Sequence, residues 1–281
     1  MKVIHNCSVF KFHEEYCTDI HEELLRRGHE SIICDDYRAY WDDADFTIQP
    51  DEACTRMGGR GVWIGHAFPV VPQNAFYTEP KFKADLQKNS DFIFTFSEAW
   101  AEWHEMHGLS IKVVGMPRLD KLFNNINGKW ALYAPTHHKK SPNVYAGDKI
   151  AIMALERYGF CIRVRPHPAY SVNPRSVNED MMEAGVVISD YSSIYLESIV
   201  LNIPTILIGD ARWGVDNSHI SGCANEAAIV AHSQEEMEMA VIRYINDPLY
   251  LEEERLRHSK MLCEYQGVAA SRFVDVLEEL L

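Results

Sequence analysis

The chain has 281 residues, of which 47% are hydrophobic, with 6 Trp, 12 Phe and 13 Tyr; that excludes disorder as its main state and allows one large domain or two of about 120 to 150 residues. A formal charge of -14, from 41 acidic against 27 basic residues, opposes a broad nucleic-acid footprint and a basic membrane-docking face, while an anion held by a few arginines and helix N-termini stays compatible with it. The longest apolar runs are strand-sized, well short of the roughly 20 residues a membrane span needs; the N-terminus lacks a signal-peptide pattern, and the seven cysteines lack CxxC spacing and are odd in number, so reduced thiols in a cytoplasmic protein are expected.

Met1 to Ser8 reads as a first strand. Phe12, Tyr16, Ile20, Leu24 and Leu25 then recur at helical spacing until Arg26-Arg27-Gly28, a helix end with a C-cap glycine. "ESIICDD" and "DFTIQP" are strands, and "GGRGVWIGHAFP" is a strand leading into a glycine-bounded loop. "SDFIFTFS" is a further strand, followed by a helix from Ser97 to His107 that Gly108 stops, and "LSIKVVGMPRLDKLF" supplies a strand and turn.

"NNING", Asn124 to Gly128, is polar and turn-prone and reads as a linker. A second series follows: "KWALYAPTHHK" as a strand, Gly147 to Tyr158 as a helix, "FCIRVRPHP" as a strand and loop, Glu179 to Ala184 as a short helix and "GVVIS" as a strand. Ser193 to Leu201 is a helix, "IPTILIG" a strand, and Glu235–Ile245, Leu249–Leu262 and Ala270–Leu281 are helices. The alternation predicts an α/β protein of two Rossmann-like domains facing a cleft, residues 1–123 and 129–281, with the last helix free to cross back to the first.

In open α/β sheets ligands bind beyond the carboxyl ends of the strands, where helix N-termini offer unpaired N–H groups. Four clusters stand at such exits. In "ISDYSSIYLES", Asp190 follows a strand, and Ser192 or Ser193 opens a helix, an arrangement that offers hydroxyl and backbone donors to a phosphate or serves as an ordinary cap. In "RVRPHP", Arg163 and Arg165 share one side of a strand, and two prolines restrain the loop presenting His167. In "YAPTHHK", Thr136, His137 and His138 leave a strand; adjacent histidines in extended chain point apart, so no metal is expected. In "WIGHAFP", His66 sits between Gly65 and Ala67, and its ordinary pKa suits a base acting near neutral pH.

Four further features are read more plainly. Asp43-Ala44-Asp45 is a DxD triplet read as a solvated loop, and "HEMH", His104 to His107, as a solvated helix end. Trp213 and His219 lie in a loop that either covers a nucleotide base or is an ordinary loop, and Glu226 either reaches a ribose or caps the next segment.

Together, "WIGHAFP", "YAPTHH", "RVRPHP" and "ISDYSSIYLESIVLNIPTI" resemble the CDP-glycerol glycerophosphotransferases that build poly(glycerol phosphate) chains of teichoic acids. The resemblance implies a glycosyltransferase-B architecture. It makes His66, matching the histidine of a His-Gly-Thr-Pro segment, the general base, and His167, matching Arg-Pro-His-Pro, the residue that stabilises the donor diphosphate or protonates departing CMP. Ser192 and Ser193 match the Asp-Tyr-Ser-Ser serines on donor phosphate, Asp190 positions that turn, Arg165 binds the donor phosphate and offsets its charge, and Thr136 lines the same donor-phosphate side. His138 joins Trp213 and Glu226 as a nucleotide-side candidate. Ala67 and Phe68 replace Gly and Thr of the family pattern, His137 and His138 replace an aromatic residue and Arg, and Glu197 replaces Asp.

The implied reaction transfers glycerol phosphate, or a related alditol phosphate, from a CDP-linked donor to an acceptor hydroxyl without metal or other cofactor. The acceptor is unidentified, with a lipid-linked cell-wall precursor as the family precedent and a peripheral position at the inner membrane face as its consequence. A nucleotide-sugar glycosyltransferase, a UDP-sugar 2-epimerase-like enzyme and a noncatalytic binding protein are the alternative readings.

Overall fold

The structure is a computed structural model describing residues 1–8, 13–36, 38–50, 54–65, 80–104, 108–126, 128, 130–135, 155–159, 161–166, 175–190, 192–208 and 224–281. The chain forms two compact units. The first takes in Met1–Ala67, Asn74–Lys121 and Met261–Leu281, and the second has Leu122–Lys260 as its main span.

In the first unit, β1 (Lys2–Asn6), β2 (Glu30–Cys34), β3 (Phe46–Gln49), β4 (Arg60–Trp63), β5 (Phe92–Thr95) and β6 (Ser110–Val113) form one parallel sheet of order β2-β1-β3-β4-β5-β6. The inner strands are buried along nearly their whole length, as expected for a parallel sheet covered on both faces, which is why they read as apolar runs instead of alternating ones. Helix α1 (His13–Arg26) turns Cys17, Ile20 and Leu24 into the core, and Gly28, at φ +83°, ends it in the left-handed conformation that glycine adopts without steric cost. Helices α2 (Pro80–Asn89) and α3 (Glu98–His104) follow. The sequence reading lacks α2, although Pro80 at its first position is a recognised helix-start signal.

The second unit holds β7 (Trp130–Ala134), β8 (Ile162–Val164), β9 (Ala184–Ser189), β10 (Thr205–Ile208) and β11 (Ile229–Ala231), parallel and in the order β11-β10-β9-β7-β8. Among the described residues its helices are α4 (Val177–Met182), α5 (Ser193–Val200), α6 (Gln234–Asn246) and α7 (Glu252–Leu262), the last two residues of which belong to the first unit. The short helix expected at Glu179–Ala184 therefore starts earlier, because Ser176 and Glu179 form a reciprocal capping box; Ala184 already belongs to β9. Of the helix expected at Gly147 to Tyr158, residues 155–157 are described and helical. Tyr133, Ile188, Ile206, Met237, Val241 and Tyr244 pack together as the core of this unit.

The last helix, α8 (Ala269–Glu279), belongs to the first unit. Its Phe273, Val274, Val276 and Leu277 are fully buried among Val3, Leu24, Phe46 and Phe94. No helix among the described residues is long and apolar enough to cross a membrane.

Candidate functional site

The second sheet, counted in its own chain order, runs 2-1-3-4-5, so the strand order reverses between β7 and β9. At that switch point the neighbouring crossovers leave on opposite faces and open a crevice at the strands' carboxyl ends. Ala134 and Ser189 are partners in the register there, and Ser189 Oγ donates to the Ala134 carbonyl at 2.6 Å. On the other side of β7, the Arg165 amide donates to the Tyr133 carbonyl at 2.8 Å. The exits of "YAPTHH", "RVRPHP" and "ISDYSS" thus stand side by side on one sheet edge.

Beyond Ser189, the turn is closed by the Ser192 amide donating to the Asp190 carbonyl at 2.9 Å. Ser192 occupies the N-cap of α5 with extended backbone angles, yet its hydroxyl makes no capping hydrogen bond. A serine at this position ordinarily satisfies one of the helix's first N–H groups. Here Ser192 and Ser193 are both partly exposed at the start of α5, where a helix's first N–H groups have no partner within the helix. The remainder of α5 is buried, including Glu197 and Ser198, and Ser198 Oγ lies 2.7 Å from both the Tyr195 carbonyl and Thr205 Oγ1. The contact with Thr205 ties α5 to β10.

Arg165 is held differently. It is buried, and its Nη1 donates to Asp180 Oδ2 at 2.8 Å and to the Arg175 carbonyl at 3.0 Å. Arg163, on the same side of β8 as the alternation predicts, donates to Asp180 Oδ1 at 3.0 Å and to Glu183 Oε2 at 3.0 Å, with its guanidinium 4.8 Å from the Trp130 ring centroid. Asp180, Glu183 and Arg175 were absent from the sequence reading. Its capping-box signal, Ser176 with Glu179, was legible and marks the helix that carries Asp180.

Glu226 is exposed, and its carboxylate lies 2.9 Å from Arg257 Nη2 and 3.4 Å from His258 Nε2. Burial is the largest cause holding His258 below the ordinary histidine pKa, followed by the Arg257 charge; Glu226 opposes both. Thr136, His138, His167, Trp213 and His219 lie outside the described residues.

In the first unit, Gly65 leaves β4 at φ +60°, and His66 lies just outside the described residues. A cavity of about 20 Å³ is lined by Ile64, Gly65, Phe96, Gly115 and Arg118, among others. Arg118 is buried with its guanidinium 4.7 Å from the Tyr16 ring centroid. His104 corrects an expectation: it does not stand at a solvated helix end but is 2% exposed, edge-on to Trp63 at 5.4 Å, because α3 turns it toward β4. The DxD triplet is also only partly solvated. Asp43 pairs with Lys2 at 3.0 Å at the surface, whereas Asp45 accepts the Lys2 amide at 2.7 Å and so ties β1 to the start of β3.

Comparison with solved structures places the fold. A variant of the wall teichoic acid polymerase TagF matches with a TM-score of 0.75 at 13% identity, over 99% of this chain and 88% of that one. The S. aureus MnaA–UDP co-structure matches with 0.68 at 12% identity over 100% and 97%, and the spinosyn forosaminyltransferase SpnP with 0.56 at 12% over 100% and 99%. No protein-family model matches the chain, and no curated protein matches its sequence. The fold is α/β with two Rossmann-like domains of the glycosyltransferase-B type.

Proposed function

We propose that the protein transfers glycerol phosphate, or a related alditol phosphate, from a CDP-linked donor to an acceptor hydroxyl and releases CMP. The observation that carries this reading is the meeting of the β7, β8 and β9 exits at the switch point of the second sheet, beside an N-cap serine whose hydroxyl is left unused by its helix. The likeness to TagF, one of whose structures was soaked with CDPG, supports a donor of this kind.

In the proposed step, the acceptor oxygen attacks the β-phosphorus of the donor and gives its proton to His66. The bond between that phosphorus and the bridging oxygen breaks, and CMP departs with the bridging oxygen and its electron pair. His167 stabilises or protonates the leaving group. Ser192, Ser193 and the first amides of α5 receive the phosphate oxygens, because hydroxyls and helix-terminal N–H groups bind anions without a further cation. Thr136 and Asp190 complete the donor side and His138, Trp213 and Glu226 the nucleotide side, and the acceptor is a hydroxyl compound of unidentified structure, for which a lipid-linked cell-wall precursor is the family precedent.

The likeness to MnaA with UDP favours one second reading, a uridine-linked sugar as substrate. Offering CDP-glycerol, CDP-ribitol and UDP-sugars with hydroxyl acceptors separates the two. The expected result is acceptor-dependent CMP release that is lost in His167→Ala; UMP or UDP release with CDP-glycerol inert would replace this reading with the second.

A further inference from the structure

Strands β1 and β2 and helix α1 each bring one polar side chain to a common point in the first unit. Ser31 Oγ, from β2, stands 2.8 Å from Nε2 of His5 on β1 and 2.8 Å from Nδ1 of His21 on α1. The two imidazoles lie edge-on, their centroids 5.8 Å apart. His5 and Ser31 are buried and His21 is half-buried, so a proton from solvent enters at His21. The remaining ring nitrogen of His5, Nδ1, is buried without a hydrogen-bond partner. A hydroxyl has one hydrogen, so Ser31 donates to one ring and accepts from the other, and the chain has two directions. In the first, His5 Nε2–H donates to Ser31 and Ser31 donates to His21 Nδ1, which leaves His5 Nδ1 unprotonated. In the second, His21 Nδ1–H donates to Ser31 and Ser31 to His5 Nε2, which places the His5 proton on Nδ1 as a buried N–H with no acceptor. An orphaned N–H is the rarer of the two in folded proteins, so the first direction holds while both rings are neutral.

We infer that His21, Ser31 and His5 form a proton-operated switch: one proton taken up by His21 reverses the chain through Ser31 and moves the His5 proton from Nε2 to Nδ1 in the core. A protonated His21 carries hydrogen on both ring nitrogens and only donates. Its bond to Ser31 is charge-assisted, roughly twice as strong as a neutral one, and both contacts of Ser31 survive only if the whole chain turns round. The net change is one proton and one positive charge, both on His21; His5 changes tautomer and stays neutral. Burial is the main cause that keeps it so, with the His21 charge second. The charged groups of the surrounding elements are engaged with one another. On α1, Asp19 and Glu22 pair with Lys121 and Glu23 with Arg26 and Arg27, while Glu14 and Glu15 stand about two turns before His21. Lys2 of β1 pairs with Glu30 of β2; on α8, Asp275 and Glu278 pair with Arg27 and Arg272 with Glu279, and His29 reaches Glu278. Arg118 lies over Tyr16, and Asp120 accepts the first amides of α8. The thiols on these elements are Cys7, Cys17 and Cys34; the contact with Cys7, then burial, holds Cys17 well above its ordinary pKa, and burial raises Cys34. The switch is independent of the transfer reaction proposed above.

Long-range proton–nitrogen correlation spectra of the full chain with nitrogen-15 histidine, recorded from about pH 8 to about pH 5 across the histidine range, read the proton on each ring nitrogen. The expected result is that His5 Nδ1 moves from the pyridine-type to the pyrrole-type shift as Nε2 moves the other way, with the midpoint of the His21 titration itself. In Ser31→Ala, His21 is expected to titrate while His5 keeps one tautomer throughout. A His5 that holds one tautomer while the wild-type His21 titrates overturns the switch, as does a His5 change with a different midpoint or one that persists in Ser31→Ala. Two pyrrole-type nitrogens on His5 in this interval would show it charging instead of changing tautomer, and a His21 that takes up no proton would leave the chain without its trigger; either overturns the inference. Should Ser31→Ala fail to fold, His21→Gln, at a half-buried helix position, carries the control: a fixed His5 tautomer supports the switch, and a change that persists without His21 overturns it.

Discussion

Ser192 separates two roles that serine plays at a helix start. Its hydroxyl makes no cap bond, so Ser192→Ala is expected to shift unfolding by less than about 0.5 kcal/mol, against about 1 kcal/mol for a true cap. The same variant is expected to slow CMP release about tenfold or more, as loss of a phosphate donor does; urea unfolding and a release assay check the pair, and a large stability loss with an unaltered rate would make Ser192 a structural cap. His5 illustrates a different residue-scale effect. It is fully buried, with Nε2 2.8 Å from Ser31 Oγ, and the same hydroxyl lies 2.8 Å from His21 Nδ1. Burial, with a smaller contribution from the His21 charge, pushes the His5 pKa down from 6.5 to about 3. Its folded form therefore stays neutral while the unfolded form gains a proton below pH 6.5, so this contribution to stability is complete above 6.5 and is lost as pH falls toward 3. Burial moves Asp120 the opposite way, from 3.8 to about 6, so its contribution falls as pH rises from 4 to 6. Comparing wild type with His5→Gln cancels the Asp120 effect. The stability difference is expected to move by about 2 kcal/mol against the wild type between pH 7 and pH 5, and a constant difference in urea unfolding at the two pH values would show His5 protonating in the fold.

Elements are placed by close approach as much as by propensity. At the exit of β6, Gly115 adopts φ +80°, and a Cβ there would stand 2.3 Å from the Glu264 carbonyl oxygen. That carbonyl is backbone, in a segment itself tied to the first unit by the Glu264 amide donating to the Phe96 carbonyl at 2.9 Å. Gly115→Ala combines left-handed backbone strain with an overlap that no rotamer relieves, and is expected to cost about 3 kcal/mol or more. A thermal midpoint within a degree of wild type would disprove the close approach. By contrast, Gly28 at φ +83° meets nothing within 4 Å of a Cβ, so its requirement is conformational alone.

At the scale of the whole molecule, the C-terminal segment completes a unit that begins at residue 1. The N-cap of α8, Val268, supplies no side-chain cap. Asp120 supplies it from elsewhere in the unit, accepting the Ala269 and Ala270 amides at 3.0 and 2.7 Å. Arg27, at the end of α1, holds the other side of the helix through Asp275 at 2.6 Å and Ser271 Oγ at 2.8 Å. Phe273, Val274, Val276 and Leu277 are each 0% exposed, and at about 1.5–3 kcal/mol per side chain their burial is comparable with the entire stability of an ordinary domain. Deleting residues 268–281 is therefore expected to abolish cooperative unfolding of the first unit. A truncated chain that keeps its near-ultraviolet dichroism and transition midpoint would refute this.

Local signals in the sequence determined much of this protein: the parallel α/β alternation follows from apolar strand runs and helical periodicity, and the Gly28 stop from the conformational freedom of glycine. The polar clusters at three strand exits were legible for the same reason, since a polar run breaking an apolar strand is visible without knowing what lies beside it. Pro80 also stood in the sequence, but with few apolar residues around it α2 had no periodicity to announce it. Only the tertiary structure decided the strand order that sets those exits next to one another, the burial of His104, the capture of Arg165 by Asp180 and the unit whose core α8 fills. Each of these depends on contacts between residues far apart in the chain, where composition and spacing carry no record of partner, and where burial, more than residue type, settles whether a charged or polar group is paired, neutral or left to meet a ligand.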